Sequence, residues 1–246
     1  MNSPYGLPAD CLDCHLRSDD FFCVLSQESL AAFNRIKRAT VLPEGAVILV
    51  EGQTPRGIFM LCQGQAKLST TSREGKTLIL HIAKPGEVLG LHAVVTGKAN
   101  ELTAEAMQPS QLNFVNREDF LRFLKEHGDA CLQAAQHISR DCQHAYDVAR
   151  SIGLPHLVSG RVAKFLLASA TDGQVTNGVV RARLAMTHVD IAQIIGTSRE
   201  SITRILSEFR KKEIVELKGS TLTIHNKPAL ERLVEGTRIG RKNASR

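Results

Sequence analysis

Residues 186–214 read MTHVDIAQIIGTSRESITRILSEFRKKEI, the pattern of two helices crossing over a tight turn. Ala192 has the short side chain that close approach of two helices requires. Gly196 supplies a turn at which the chain can take positive φ. Ile202 is the apolar plug from the second helix into the first. Thr197 is expected to cap that second helix, with Glu200 three residues later completing a capping box. Arg199, Glu200, Thr203 and Arg204 fall in its first two turns, the part of a recognition helix that enters a major groove. A helical hairpin with a solvated charged face would share the Ala-Gly-Ile spacing. The cap and the polar cluster at the helix start are what favour DNA.

Charge points the same way. The 246-residue chain carries a formal +6. From His156 onward, 16 Lys and Arg stand against 8 Asp and Glu, so the preceding part is net acidic. Phosphate neutralisation dominates affinity for DNA, which assigns the polyanion to the C-terminal third. No basic amphipathic anchor suggests acidic lipid instead, and no run approaches the ~20 apolar residues that cross a bilayer. The opening MNSPYGLPADC has neither the basic nor the apolar region of a secretory signal, so a cytoplasmic protein is expected. In that compartment six cysteines read as thiols or metal ligands rather than a disulfide framework.

The length suits two domains. Residues 1–25 form a cysteine-bearing leader. Residues 26–35 read as a short helix capped by Ser26 with Leu30 and Phe33 inward. From Val41 to Val115, short apolar runs are cornered by Gly45, Gly52, Gly64, Gly75, Gly86 and Gly97, the spacing of an all-β sandwich or barrel. Residues 117–126 are helical, and a longer helix follows over about 128–152. On it Cys131, Ala135, Ile138, Cys142, Ala145, Ala149 and Ile152 alternate steps of four and three, a coiled-coil seam whose small residues suit an identical partner helix. A narrow stripe packed on the chain's own β-domain is the other reading. Dimer symmetry would let two recognition helices read half-sites one helical turn apart, as in an inverted repeat.

Gly153-Leu154-Pro155 marks the domain break, and residues 156–170 read as a further helix. TDGQVTNG is read as a polar turn, VVRARLAM as a strand, and IVELKGSTLTIHN as two strands about a Lys218-Gly219-Ser220 turn, a β-wing. A last helix, PALERLVEG, and a basic tail expected to lack fixed structure close the chain.

Glycine-cornered β-domain, long helix and winged helix-turn-helix together resemble the Crp/Fnr family of bacterial transcription regulators, from about Cys11 to Leu233. The most specific pieces are GTSRESITRILSEFRKKEIV and the PGEVLG turn at Pro85 to Gly90. The resemblance implies an α+β architecture. A cyclic-nucleotide-binding-like β-roll sensor would span 26–127, a dimerisation helix 128–153, a winged helix-turn-helix 154–235 and a basic tail 236–246. It also implies that Arg199, Glu200 and Arg204 touch base edges. Chemistry agrees, since Arg can donate two bonds to guanine and Glu can accept from cytosine. Glu200 as a capping acid, and the two arginines as phosphate clamps, are the competing roles. Ser198 and Thr203 would assist, and Lys211, Lys212 and Lys218 suit phosphates. RNA polymerase is an expected partner of such a regulator.

The signal is the open question. Cyclic-nucleotide-binding members carry a glutamate for the ribose and an arginine for the phosphate. Here Leu91 and Leu102 stand at about those places, and Lys98 would substitute only through a different loop path. A buried phosphate without a cation is expensive, so a cyclic nucleotide is not the expected ligand. The leader's Cys11-x-x-Cys14, followed by Cys23, resembles the cysteine cluster of oxygen-sensing Fnr-type members, which implies a [4Fe–4S] cluster. Two departures stand out. The gap from Cys14 to Cys23 is longer than in that pattern, and the family's fourth cysteine, expected around Gln111 to Phe114, is missing. Cys62 is the first candidate to replace it, with His15, Asp13, Asp19 and Asp20 near in sequence. Zinc held by cysteine and histidine, a thiol redox switch, and idle thiols with a small-molecule effector in the β-roll are the alternatives.

An enzyme is not expected. There is no Gly-rich phosphate loop, nucleophile elbow or His-Glu-x-x-His. His127, His137 and His144 read as surface residues in or beside the long helix. A β-roll regulating a protein partner is the other rival, and the basic C-terminal third speaks against it.

Overall fold

The computed structural model describes residues 10–14, 21–153, 158–171, 173–176 and 178–239. Within it, residues up to 146 and from 147 form two compact units.

In the first unit a single 3-10 turn, Phe21–Val24, leads into α1 (Gln27–Ile36). The Ser26 hydroxyl caps α1 by accepting from the Ser29 N–H at 3.2 Å, and Leu30 and Phe33 are buried as their spacing requires. The strands are β1 (Arg38–Leu42), β2 (Val47–Leu49), β3 (Gly57–Gln63), β4 (Ala66–Thr71), β5 (Thr77–Ala83), β6 (Val88–Leu89), β7 (Thr103–Ala106) and β8 (Ser110–Asn116). They pair antiparallel into two four-stranded sheets, ordered β1-β8-β3-β6 and β2-β7-β4-β5, as a β-roll requires. The glycines named as corners from sequence all have positive φ.

One segment departs from the all-β expectation. Leu91–Thr96 is a short helix, α2, entered through Gly90 at φ 81°. Gly90 carries no Cβ and takes the left-handed conformation at no steric cost, which turns the chain out of β6. Leu91 is then buried at the start of a helix rather than along a strand.

Asn116 caps α3 (Arg117–Glu126), and α4 (Gly128–Gly153) follows. Phe120 and Phe123 of α3 and Ala130 and Ala134 of α4 join Phe33, Ile58, Met60 and Val88 in one core. His137 belongs with them. Expected at the surface, it is 5% exposed, and its Nε2 lies 3.2 Å from the Val88 carbonyl. A buried β-roll strand thus supplies the polar partner that makes an imidazole acceptable among apolar side chains. His144 and His127 also differ from free surface residues. The His144 ring meets His81 edge-on at 4.8 Å, and His127 stacks on Phe123 and reaches the Ser29 hydroxyl.

α4 therefore has two faces. Ala130, Ala134 and His137 face the β-roll core, and Ile138 is half-buried beside them. Cys131, Ala135, Cys142, Ala145 and Ala149 of the seam are exposed, as are Leu132 and Tyr146. The side chain of Ile152 lies outside the described residues, together with Leu154, Pro155, His15, Asp19, Asp20 and the tail from 240.

The second unit contains α5 (Val158–Ser169), β9 (Gln174–Thr176), β10 (Val179–Arg183), α6 (His188–Ile195), α7 (Arg199–Lys211), β11 (Val215–Lys218), β12 (Thr221–Ile224) and α8 (Lys227–Ile239). Its sheet runs β11-β12-β10-β9, so part of the segment read as a polar turn is an exposed edge strand instead. Its core gathers Val162, Leu166, Ile191, Ile202, Ile205, Phe209, Leu222 and Leu230. The last helix runs on to Ile239, past the start expected for the tail.

Candidate DNA interface and cysteine site

The helix-turn-helix is α6 and α7. Thr187 and Asp190 form a reciprocal capping box on α6. The Thr187 N–H donates to Asp190 Oδ2 at 2.9 Å, and the Asp190 N–H donates to Thr187 Oγ1 at 3.1 Å. Gly196, at φ 71°, ends α6 and opens the turn, as expected. Ala192 is buried beneath it and Ile202 is fully buried, so the plug contact exists. The cap of α7 is Ser198, not Thr197: the Ser201 N–H donates to Ser198 Oγ at 3.3 Å. The shift of one residue leaves Glu200 in the first turn without the capping-box position. Hydrogen bonds from its own N–H and the Ser198 hydroxyl still hold the Glu200 carboxyl below the usual range.

The apolar side of α7 turns Ile202, Ile205, Leu206 and Phe209 inward. That leaves Ser198, Arg199, Glu200, Thr203 and Arg204 exposed along one end of the helix. Lys211 and Lys212 are exposed at the other end. Lys218, at the tip of the β11–β12 wing, pairs with Glu216 at 3.1 Å. Sequence reasoning missed His188, whose Nδ1 lies 3.0 Å from Thr203 Oγ1, tying the start of α6 to the exposed face of α7.

The second site lies on the β-roll. Cys11, Cys23 and Cys62 all pack against the same apolar core, although they come from the leader, the 3-10 turn and β3. The β3–β8 ladder explains how Cys62 gets there. Leu61 pairs with Leu112 and Gln63 with Gln111, so the register shifts at Cys62 and leaves it without a ladder partner. A bulge of this kind re-aims a side chain. Asn113 of β8 donates its Nδ2 hydrogen to Cys62 Sγ at 3.1 Å and lies 4.0 Å from Cys11 Sγ. Asn113, within the stretch from Gln111 to Phe114 where the resemblance implied a cysteine, is thus in contact with Cys62 on the neighbouring strand.

The end of α1 holds the leader in place. Asn34 donates to Asp10 Oδ1 at 2.6 Å and accepts from the Cys11 N–H at 3.2 Å. Lys37 Nζ donates to Cys11 Sγ at 2.8 Å. Burial pushes the Cys62 thiol up to about 12, with Cys11, Cys23 and Cys14 adding to the rise and Lys37 opposing it. Burial also raises Cys11, against its bond to Lys37. Cys14 and Cys23 thus act on both Cys11 and Cys62. Among the described residues, no three His, Cys, Asp or Glu side chains gather about one point as a single metal ion requires. Cys11, Cys14, Cys23 and Cys62 would supply four soft sulfur donors, the number and type that a [4Fe–4S] cluster takes.

The nucleotide positions offer little. Leu91 is buried in α2, Leu102 is half-buried, and Lys98 is exposed. His92, beside Leu91, pairs with Glu101 at 2.8 Å.

A β-roll joined to a winged helix-turn-helix with an exposed basic recognition helix defines a DNA-binding transcription regulator. Residues 39–127 match the cyclic nucleotide-binding domain, and residues 160–233 match the Crp-like helix-turn-helix domain. The chain belongs to the Crp/Fnr family of transcription regulators, which are not enzymes. It is 27% identical to the global nitrogen regulator of Synechocystis sp. over 74% of this chain and 82% of that one. Identity to the CRP-like cAMP-activated global transcriptional regulator of Mycobacterium tuberculosis is 22%, over 83% of this chain and 91% of that one. FixK2 from Bradyrhizobium japonicum shares the fold with a TM-score of 0.70 at 21% identity, covering 80% of this chain and 97% of that one. A CooA mutant from Carboxydothermus hydrogenoformans does so with a TM-score of 0.74 at 18% identity, over 88% of this chain and 97% of that one. No helix among the described residues is long and apolar enough to cross a membrane.

Proposed function

We propose that this regulator senses oxygen or redox state through a [4Fe–4S] cluster held by Cys11, Cys14, Cys23 and Cys62. The observation that carries the reading is the bulge in β3, which presents Cys62 to Asn113 beside Cys11. Such a cluster supplies an oxygen-labile bond between the leader and the β-roll. Ligation requires the raised thiols of Cys11 and Cys62 to give up their protons, so loading releases protons and orders the leader. α4 carries core contacts on one face and the seam of small residues on the other, so a change at the leader bears on the dimer helix through one shared core.

In this reading the chain acts in the cytoplasm as a homodimer on an inverted repeat, with RNA polymerase as a partner. Residues 1–25 are the sensor's leader, 26–127 the sensor, 128–153 the dimer helix, 154–235 the DNA reader and 236–246 a basic tail. Arg199, Glu200 and Arg204 read bases, assisted by Ser198 and Thr203, and Lys211, Lys212 and Lys218 hold phosphates. Burial of Leu91 and exposure of Lys98 support a ligand other than a cyclic nucleotide.

The test begins with a duplex selected from a randomised pool by the anaerobic protein. Binding to it is then compared before and after exposure to air. Wild type is expected to bind anaerobically and release in air, whereas Cys11→Ser folds with the same circular dichroism and no longer responds. A Cys11→Ser protein that responds as wild type does would end the reading.

A further inference from the structure

Lys37 is an unusual lysine. Its neighbours Arg35 and Arg38 are exposed, yet Lys37, at the end of α1, is half-buried and directs its ammonium at a sulfur. Lysines normally stay in water and bury only their stems. Here the head group lies 2.8 Å from Cys11 Sγ and acts electrostatically on Cys62 as well. The Asn113 amide, itself 3% exposed, donates to Cys62 Sγ and lies 4.0 Å from Cys11 Sγ, while its own oxygen has no partner among the described residues. Two donors from two elements, α1 and β8, thus converge on sulfurs that otherwise face an apolar core.

That surrounding sets the physical problem. Four thiolates around an iron–sulfur cube carry net negative charge, and burying an anion among apolar side chains costs several kcal/mol unless a counter-charge meets it. Hydrogen bonds to the sulfurs and local charge also set how readily the site accepts an electron. Asp10, Asn34 and the Cys11 backbone bond one another, and among the described residues Lys37 is a cation hydrogen-bonded to one of the thiols.

We infer that Lys37 is the counter-charge of the cysteine site: it stabilises the thiolate-bound cluster and, more strongly, the same cluster after it gains one electron. This rests on the cluster reading above, whereas the role of Lys37 is separate from ligation. Lys37 is a positioning residue that tunes the site through sulfur. Asn113 is the weaker, neutral donor of the pair.

The experiment uses the full chain, reconstituted anaerobically with iron and sulfide. Dithionite is the electron donor in a potentiometric titration followed by electron paramagnetic resonance. Wild type, Lys37→Met and Lys37→Arg are compared, with circular dichroism confirming the fold. Lys37→Met is expected to take up the same iron and to disfavour the reduced form by about tenfold, a potential lower by about 59 mV for one electron. Lys37→Arg is expected to restore most of that shift. Should Lys37→Met fold but fail to hold iron while Lys37→Arg holds it, the counter-charge role is supported through assembly instead. A Lys37→Met potential equal to wild type, or an Lys37→Arg protein no better than Lys37→Met, overturns the inference while leaving the cluster in place. Wild type that takes up no iron and sulfide overturns the cluster reading and this inference with it.

Discussion

Arg204 and Lys211 sit on the same helix and should fail differently when removed. Arg204 is exposed within the first two turns of α7, where base edges are reached. Arg204→Ala is expected to cost about 1–3 kcal/mol on the selected operator and to relax preference at one base position of each half-site. Lys211→Ala is expected to weaken binding to all duplexes alike and lower the salt slope by about one. Fluorescence anisotropy over a salt series separates the two. These exposed residues were readable from the recognition helix because its apolar face fixes which side chains remain outside. The bond from His188 to Thr203 was not readable, since the turn angle between α6 and α7 decides it. Lys37 was hidden for a similar reason: its partner, Cys11, lies 26 residues earlier in a segment without a periodic pattern.

Asp129 offers a pH test at the same scale. Burial raises its carboxyl, but the Ser29 hydroxyl at 2.6 Å and the Ser26 N–H at 2.9 Å outweigh that and hold it at about 2. A depressed carboxylate stabilises the fold above its ordinary value of 3.8, and that contribution is lost as pH falls towards 2. Asp129→Asn is expected to lower the stability of the first unit by about 1 kcal/mol at pH 7, the carboxylate being largely solvent-screened. Urea titrations at several pH values should show the difference shrinking below pH 4 and vanishing as pH falls through about 2.

Among the elements, α4 is the most exposed to test. Ala145 lies on the seam face, away from Ala130, Ala134 and His137, which pack on the β-roll. Ala145→Glu would set like charges against each other across a symmetric helix pair. Sedimentation velocity is expected to show a monomer with unchanged circular dichroism, and a duplex carrying both half-sites should lose its advantage over one carrying a single half-site. A stable Ala145→Glu dimer would move the interface off this stripe. The helix itself was legible, because its period of four and three is sustained over several turns. Its division into two faces was not, since a buried histidine bonded to Val88 looks polar in sequence. Local conflicts explain the elements that differ. Leu91–Thr96 is rich in β-branched residues yet helical, and Gly90's left-handed turn overrides their preference. Gln174–Thr176 is polar because it is an exposed edge strand.

At the scale of the whole molecule, the β-roll and the winged helix-turn-helix were legible from glycine corners, helix period and charge, which are properties of the chain's local pattern. The cysteine site was legible in part. The leader's Cys11 and Cys14 lie three residues apart in sequence, whereas Cys62 reaches Asn113, beside Cys11, through a bulge that pairing of β3 with β8 creates. In the proposed reading that bulge lets Cys62, on the neighbouring strand, stand in for the cysteine missing between Gln111 and Phe114. The central claim is that Cys11, Cys14, Cys23 and Cys62 hold one cluster, and anaerobic purification with metal and sulfide analysis tests it most directly, on wild type and Cys62→Ser side by side. The account predicts a brown wild type with about four irons and four sulfides per chain that bleaches in air, and a Cys62→Ser protein that folds but retains little of either. A colourless wild type, metal-free after attempted reconstitution or loaded with stoichiometric zinc, would contradict it.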